Sequence, residues 1–550
     1  MRLCGAAITI ETLIAHNVSD VFGYPGGQVL NIYDELYKRS DKIRHILSCH
    51  EQGAAHAADG YARSAGIPGV VIATSGPGAT NLVTGIATAY LDSSPLIAIT
   101  GNVSSTLIGK DSFQEVDIAG ITMPVTKHNY IVKRVEDLED VLCEAFQIAV
   151  SGRPGPVLID ITKDAQTGET EFRGGLPKPA FAAASPKADA IRAAAALIEK
   201  SEKPYIYCGG GVIASGAGAL LADFANKIDA PVGFSMMGLS AMDYKNPRKL
   251  GMTGMHGTYP AIKMNEQADL IIAVGVRFSD RATGNKEAYQ KNTKIVHIDV
   301  DDAEINKNIN CDVDIVGNLN VSLSELIKAV KECKHGDWNG LAEQFKREVT
   351  FAEGFNPRSI IREVRKHTDA DTIIATDVGQ HQMWTAQYYE FSNPRTFLTS
   401  GGLGTMGFGM GAAIGASIAH GGARTVLFTG DGSFHMNLNE FATAVRYNLP
   451  IVVIVMNNNV LGMVRQWQTL FYEKRYSQTE MDRVTDYVKL AEAFGGTGYK
   501  AETLDELQKS LEAAFASDAP VIIDCVIGRD EMVLPMIPAG GSYAEAIYSL

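Results

Sequence analysis

Short, nearly uninterrupted apolar runs recur along this 550-residue chain, and they leave few folds open to it. The runs are GVVIATS (69–75), PLIAITG (95–101), GPVLIDI (155–161), KPYIYCG (203–209), ADLIIAVG (268–275) and KIVHIDV (294–300). They continue with TIIATD (372–377), RTVLFTGD (424–431), PIVVIVMNN (450–458) and PVIIDCVI (520–527). Val, Ile and Leu in continuous runs suit strands buried on both faces, as in parallel sheets. Helical stretches lie between them, which is the βαβ rhythm of doubly wound folds. Two segments break the rhythm: 163–189, rich in Gly, Pro, Ala and charge, and 331–357. Boundaries placed there predict an α/β chain of three doubly wound parallel-sheet domains, 1–165, 186–332 and 356–530, with a C-terminal tail 531–550.

Charge and composition exclude several function classes. A net charge of −14 with no long basic run argues against nucleic acid or an anionic membrane as the main partner. Apolar residues make up 46% and charged residues 20%, ordinary for a globular protein, and no apolar stretch is long enough to span a membrane. Seven cysteines without a CxxC predict reduced thiols in a cytoplasmic protein. The first twenty residues read as an amphipathic helix and lack the layout of a signal peptide.

The strongest chemical signal is the pairing of Gly430-Asp431-Gly432-Ser433 with Asn457-Asn458. RTVLFTGD reads as a strand ending at Asp431, SFHMNLNEFATAVRYN as a loop and helix, and PIVVIVMNN as the next strand. A right-handed crossover puts both strand ends on one edge of the sheet, where ligands bind. One carboxylate and one amide oxygen suit Mg²⁺, which completes its shell with water and phosphate oxygens. Gly430 and Gly432 admit close backbone approach to a phosphate, and a following helix N-terminus favours the anion. Gly-Asp-Gly alone is a common surface turn; its pairing with the second strand is what carries the reading. The pair resembles the motif by which thiamine diphosphate enzymes hold their cofactor through Mg²⁺.

Upstream, HEQGAAHAADGYAR (50–63) is built on Gly53, Ala54, Ala57, Ala58 and Gly60, small residues that allow another backbone to pack closely. The segment resembles the one carrying the activating glutamate of that family. There Glu51 would hydrogen-bond a pyrimidine nitrogen of the cofactor and favour the tautomer that takes the C2 proton. The resemblance also implies that Glu51 and the metal loop serve a site from different subunits, so a homodimer is the smallest active unit.

FGYPGGQVLNIYDEL (22–36), TSGPGATNLVTGIATAY (74–90), IGKDSFQEVDIAGIT (108–122), VGVRFSDRATGN (274–285), DVGQHQMW (377–384), SGGLGTMGFGMGAAIGA (400–416), NNNVLGMVRQWQTLFYEKRYS (457–477) and VLPMIPAGGS (533–542) narrow the family. Together they resemble the catalytic subunits of acetohydroxyacid (acetolactate) synthases over nearly the whole chain. The resemblance implies pyruvate decarboxylation and ligation of the remaining two-carbon unit to a second 2-ketoacid. The products would be 2-acetolactate or 2-aceto-2-hydroxybutyrate, for branched-chain amino acids. It implies Asp431, Asn458 and Val460 at the metal, and Gly430, Gly432, Ser433, Gly462 and Met463 around the cofactor. Val378, Gly379, Gln380 and His381 would line the thiamine site with Gly404, and Met406 would hold its bent shape. Gly26, Gly27, Phe113 and Gln114 would face the reaction centre from the partner, with Pro25 beside them, and Trp467 would shape the pocket for the second ketoacid. FAD is implied in the middle domain, at Gly209, Gly210, Gly211, Met255, His256, Gly275, Arg277, Asp280, Arg281 and Asp299. A homodimer or homotetramer and a small regulatory subunit are the implied partners.

Four positions depart from the family pattern: Gln28 for Ala, Lys110 for Thr, Ser279 for Asp and Gly411 for Pro. Gly411 is expected mostly to cost rigidity. The rival readings are a pyruvate oxidase or decarboxylase, a flavin-free catabolic acetolactate synthase and a non-catalytic homologue. Intact Glu51, Asp431 and Asn458 oppose the last.

Overall fold

A computed structural model describes residues 1–549. The chain opens on β1 (Arg2–Cys4) and continues through β2 (Asp20–Tyr24), β3 (Arg44–Leu47), β4 (Gly69–Ala73), β5 (Leu96–Asn102), β6 (His128–Val132) and β7 (Val157–Thr162). β8 (Glu169–Glu171) returns antiparallel to β1. β9 (Pro204–Cys208), β10 (Val232–Phe234), β11 (Lys249–Met252), β12 (Leu270–Val274), β13 (Lys294–Asp299) and β14 (Val313–Val316) form the middle region. The last third holds β15 (Ile373–Thr376), β16 (Phe397–Leu398), β17 (Thr425–Gly430), β18 (Ile451–Asn457), β19 (Thr497–Ala501) and β20 (Val521–Val526).

Apart from the β1–β8 ribbon, these strands form three six-stranded sheets in which every neighbouring pair is parallel. The first runs β3-β2-β4-β5-β7-β6 and the third β16-β15-β17-β18-β20-β19, the same order. The middle sheet runs β11-β10-β9-β12-β13-β14, the dinucleotide-binding order. Each order has a central switch point, between β2 and β4, between β9 and β12, and between β15 and β17; in the first and third sheets the last two strands are also exchanged. At such a point the loops leave in opposite directions and open a crevice at the carboxyl edge. The turns after those strands hold Pro25–Gly27, Gly209–Gly211 with Gly275, and Val378–His381 with Gly430–Ser433.

The first and third domains meet through two helices of small residues, Glu51–Ala65 and Phe408–Ala419. A Cβ added at Gly60 would fall on the Ala412 carbonyl, and one at Gly415 on the Ala57 carbonyl. Gly411 belongs to the same contact, since a Cβ there would come 2.7 Å from both the Gly53 oxygen and the His56 Cβ. Its glycine is thus a close-approach requirement, beyond the loss of rigidity expected from the sequence.

Both linkers carry structure of their own. Helix Gly336–Glu348 packs Trp338, Ala342 and Phe345 into the middle core, so this unit extends past residue 332. The tail returns to the same core through Ile537 and Tyr543. Ala180, Phe181 and Ala183 line the large cavity described below. All seven cysteines are free thiols. Among the described residues no helix is long and apolar enough to cross a membrane.

Gly415→Ala forces a methyl group onto a backbone carbonyl in a fully buried contact. Overpacking of this kind costs about 1–3 kcal/mol, so the variant is expected to unfold several degrees lower in a thermal scan. An unchanged midpoint would show that the helices can separate freely.

Candidate active site

The carboxyl ends of β15, β17 and β18 build a small cavity of about 90 Å³. Gly430 pairs with Met456 across β17 and β18, so Asp431 and Asn458 leave the sheet almost level. Asp431 is buried, and its Oδ2 has no hydrogen-bond partner. Burial pushes its carboxyl up to about 7, against backbone N–H groups of Asp431, Gly432, Asn459 and Asn458 that favour the charge. A buried, unpartnered carboxylate oxygen is costly unless a cation meets it.

Asn458 Oδ1 accepts from Val460 N at 3.2 Å, and Asn459 takes the left-handed φ of 59° that turns the chain there. Val378, Gly379, Gln380, His381, Met406, Gly432, Ser433, Gly462 and Met463 line the same cavity. No cluster of three or more His, Cys, Asp or Glu occurs among the described residues. A cation here would have one carboxylate and neutral oxygens as protein ligands, which suits Mg²⁺ finishing its shell with phosphate and water.

Several supporting groups are invisible to motif reading. Gln380 Nε2 donates to Gln466 Oε1 at 3.0 Å and to the Glu531 carbonyl at 2.7 Å, tying the cavity wall to the C-terminal tail. Asp377 accepts from Gly409 N and Thr429 Oγ1, each at 2.9 Å. Gly407 N donates to Ser433 Oγ at 3.2 Å, which holds the Met406 turn beside the metal loop. His381 is buried with Nε2 unpartnered; burial lowers its pKa to about 3 and keeps the ring neutral.

A second cluster sits at the carboxyl ends of β2 and β4. Asn81 Nδ2 donates to Glu51 Oε2 at 3.0 Å. A Cβ at Gly78 would come 3.3 Å from Glu51 Oε1, one at Gly26 2.5 Å from Thr74, and one at Gly76 2.9 Å from Gln114. Pro25, Gly26, Gly27, Glu51, Phe113 and Gln114 therefore share one face of the first domain, and none lines the cavity around Asp431. Phe113 is 84% exposed, and a Cβ at Gly27 would meet nothing.

The third cluster lines a cavity of about 850 Å³ between the domains. Gly210, Gly211, Met255, His256, Gly275, Arg277, Asp280, Arg281 and Asp299 face it from the middle domain. Val378, Gly404, Met463 and Trp467 face it from the third, so it adjoins the metal cavity. Gly209 does not reach it; its N–H bonds Val274 O, and a Cβ there would strike Gly275 O. Gly209 packs against backbone there, beside Gly210 and Gly211, which line the cavity. The Arg281 guanidinium lies 5.7 Å from the centre of the Trp467 ring. His256, kept neutral by burial, leaves Nδ1 unpartnered. The volume and the glycine-lined switch point fit a dinucleotide.

Comparison with known proteins agrees with this geometry. Residues 4–121 match the N-terminal TPP binding domain of thiamine pyrophosphate enzymes, 191–326 their central domain and 377–525 their C-terminal TPP binding domain. The chain is 45% identical to a probable acetolactate synthase large subunit of Methanocaldococcus jannaschii, over 99% of this chain and 95% of the relative. It is 43% identical to the acetolactate synthase large subunit of Buchnera aphidicola, over 99% and 98%. The large subunit of Haemophilus influenzae is 42% identical, over 100% and 98%.

Asp431→Asn keeps the shape of the side chain and removes its charge. Cation affinity measured by titration calorimetry is expected to fall about tenfold or more. The empty variant should unfold at a higher temperature than the parent above pH 7, because a buried charge is gone. That gap should shrink as the pH falls below about 7, where the parent's carboxyl takes up a proton that the unfolded chain does not yet bind.

Proposed function

The chain belongs to the thiamine diphosphate enzymes and, among them, to the acetolactate synthases; from that premise we propose how its own residues carry the reaction. The enzyme decarboxylates pyruvate and joins the two-carbon remainder to a second 2-ketoacid in branched-chain amino acid biosynthesis. Bound thiamine diphosphate supplies an acidic carbon and an electron sink. The observation that carries the site assignment is the buried Asp431 with its free Oδ2 at the switch point of the third sheet.

Asp431, Asn458 and the Val460 carbonyl would hold Mg²⁺ against the diphosphate, with Gly430, Gly432 and Ser433 at close approach. Gln380, neutral His381 and Met406 would line the thiamine, and Glu51 would hold the proton on the pyrimidine. The low-polarity wall around them disfavours the pyruvate carboxylate and so favours loss of CO₂. Trp467, with Arg281 beside it, would receive the second ketoacid at the mouth of the larger cavity. That cavity would hold FAD without net redox work.

Glu51 and Asp431 serve one reaction, yet Glu51 bonds only within its own domain and the metal cavity takes no residue from it. The exposed Phe113 and open Gly27 support a second copy covering this face, so that each site takes Glu51 from one subunit and Asp431 from the other. The large-subunit names of the relatives support a small regulatory subunit as a further partner. Seven free thiols support a cytoplasmic setting.

Pyruvate alone is expected to yield CO₂ and 2-acetolactate, and added 2-ketobutyrate should divert product to 2-aceto-2-hydroxybutyrate. Acetate or acetaldehyde without acetolactate would instead establish the oxidase or decarboxylase reading. Glu51→Gln should lower kcat by about 100-fold or more. Heat denaturation of freshly purified protein is expected to release a flavin absorbance; its absence would count against FAD and for the flavin-free catabolic type.

A further inference from the structure

Strand β3 ends at Leu47, and three residues separate it from the helix that begins at Glu51. The N–H groups between them need partners, because unpaired buried backbone groups are costly. Only Ser48 finds one in its own domain, Gly23 O at 3.3 Å. Leu47 N donates to Tyr447 Oη at 2.8 Å, and His50 N to Glu440 Oε1 at 2.9 Å. Cys49 N donates to the same carboxylate at 3.1 and 3.2 Å. Thr443 Oγ1 donates to Glu440 Oε2 at 2.7 Å and fixes the carboxylate from behind. Tyr447 Oη also donates to His45 O at 3.4 Å.

Glu440 is 1% exposed and lies at the amino end of the Glu51 helix, where negative charge is favoured. A Cβ at Gly53 would fall on its carboxylate, so the first turn of the helix is shaped to receive it. Glu440, Thr443 and Tyr447 all belong to the segment that begins at Asp431.

We propose that Glu440 is a positioning residue for Glu51 of its own chain, and that it ties the metal loop of one active site to the activating glutamate of the other. This rests on the assignment of Glu51 and on shared sites. Glu440 lines neither cavity; it sets where the Glu51 carboxylate stands by holding the two N–H groups in front of it.

The test uses the full chain loaded with thiamine diphosphate and Mg²⁺ and reads deuterium exchange at the cofactor's C2. Glu440→Ala and Glu440→Gln are expected to slow exchange by about tenfold or more. Dissociation constants for Mg²⁺ and cofactor should move by less than about threefold. Tyr447→Phe, which leaves the carboxylate in place, should slow exchange less.

Mixed dimers give the decisive arm. With Glu440→Gln and Asp431→Asn on the same chain, the one live site draws Glu51 from the altered chain, and exchange is slow. With the changes on opposite chains, the live site draws Glu51 from the chain with intact Glu440, and exchange keeps the parent's single-site rate. Equal rates in the two arrangements overturn the proposal, as does a loss of Mg²⁺ affinity with exchange unchanged. Full exchange in Glu51→Gln overturns the assignment of Glu51 instead, so the two failures are separable.

Discussion

The arrangement depends on how closely two helices can approach. Glu51–Ala65 and Phe408–Ala419 meet backbone to backbone because Gly60, Gly411 and Gly415 carry no side chain at the contact. Close packing transmits position because protein interiors do not deform smoothly. The contact therefore fixes the first domain on the third, and with it the distance from the Glu51 turn to the Asp431 loop of the same chain. Arg63 adds a buried ionic tie at the far end of the first helix, reaching Asp59, Asp92 and the Thr399 carbonyl.

On that frame the chemistry is placed by topology. One sheet order occurs twice and the dinucleotide order once, and the turns with Pro25–Gly27, with Gly210, Gly211 and Gly275, and with Asp431 sit at the central switch points. The three crevices are electrically different. The third holds an ionisable carboxylate beside a neutral imidazole, both buried, a setting that disfavours charge. The first opens onto the surface with an exposed phenylalanine, and the middle one opens into a large cavity between the domains.

The strands legible as apolar runs were those in sheet interiors, such as β4, β5, β12, β17 and β18, whose residues are buried on both faces. Edge strands β3, β6, β14 and β19 escaped, because one face meets solvent or a helix end and breaks the run. Site residues followed a similar rule. Asp431, Asn458 and Glu51 were open to proposal from the sequence because each lies in a local motif of fixed spacing. Asp377, Gln466 and Glu440 were not, since each acts on backbone remote in sequence: Glu440 bonds N–H groups about 390 positions away.

The sequence by itself determined the fold class, the alternation of three α/β domains and the thiamine diphosphate family, because strand burial, crossover length and motif spacing are local properties of a chain. Only the tertiary structure decided which glycines line a cavity and which pack against backbone, as Gly210 and Gly411 illustrate. It alone separated Glu51 from the cavity that Asp431 lines within one chain. Those outcomes depend on which backbones end up within van der Waals reach, and that is settled by the packing of whole domains, beyond what any local pattern encodes.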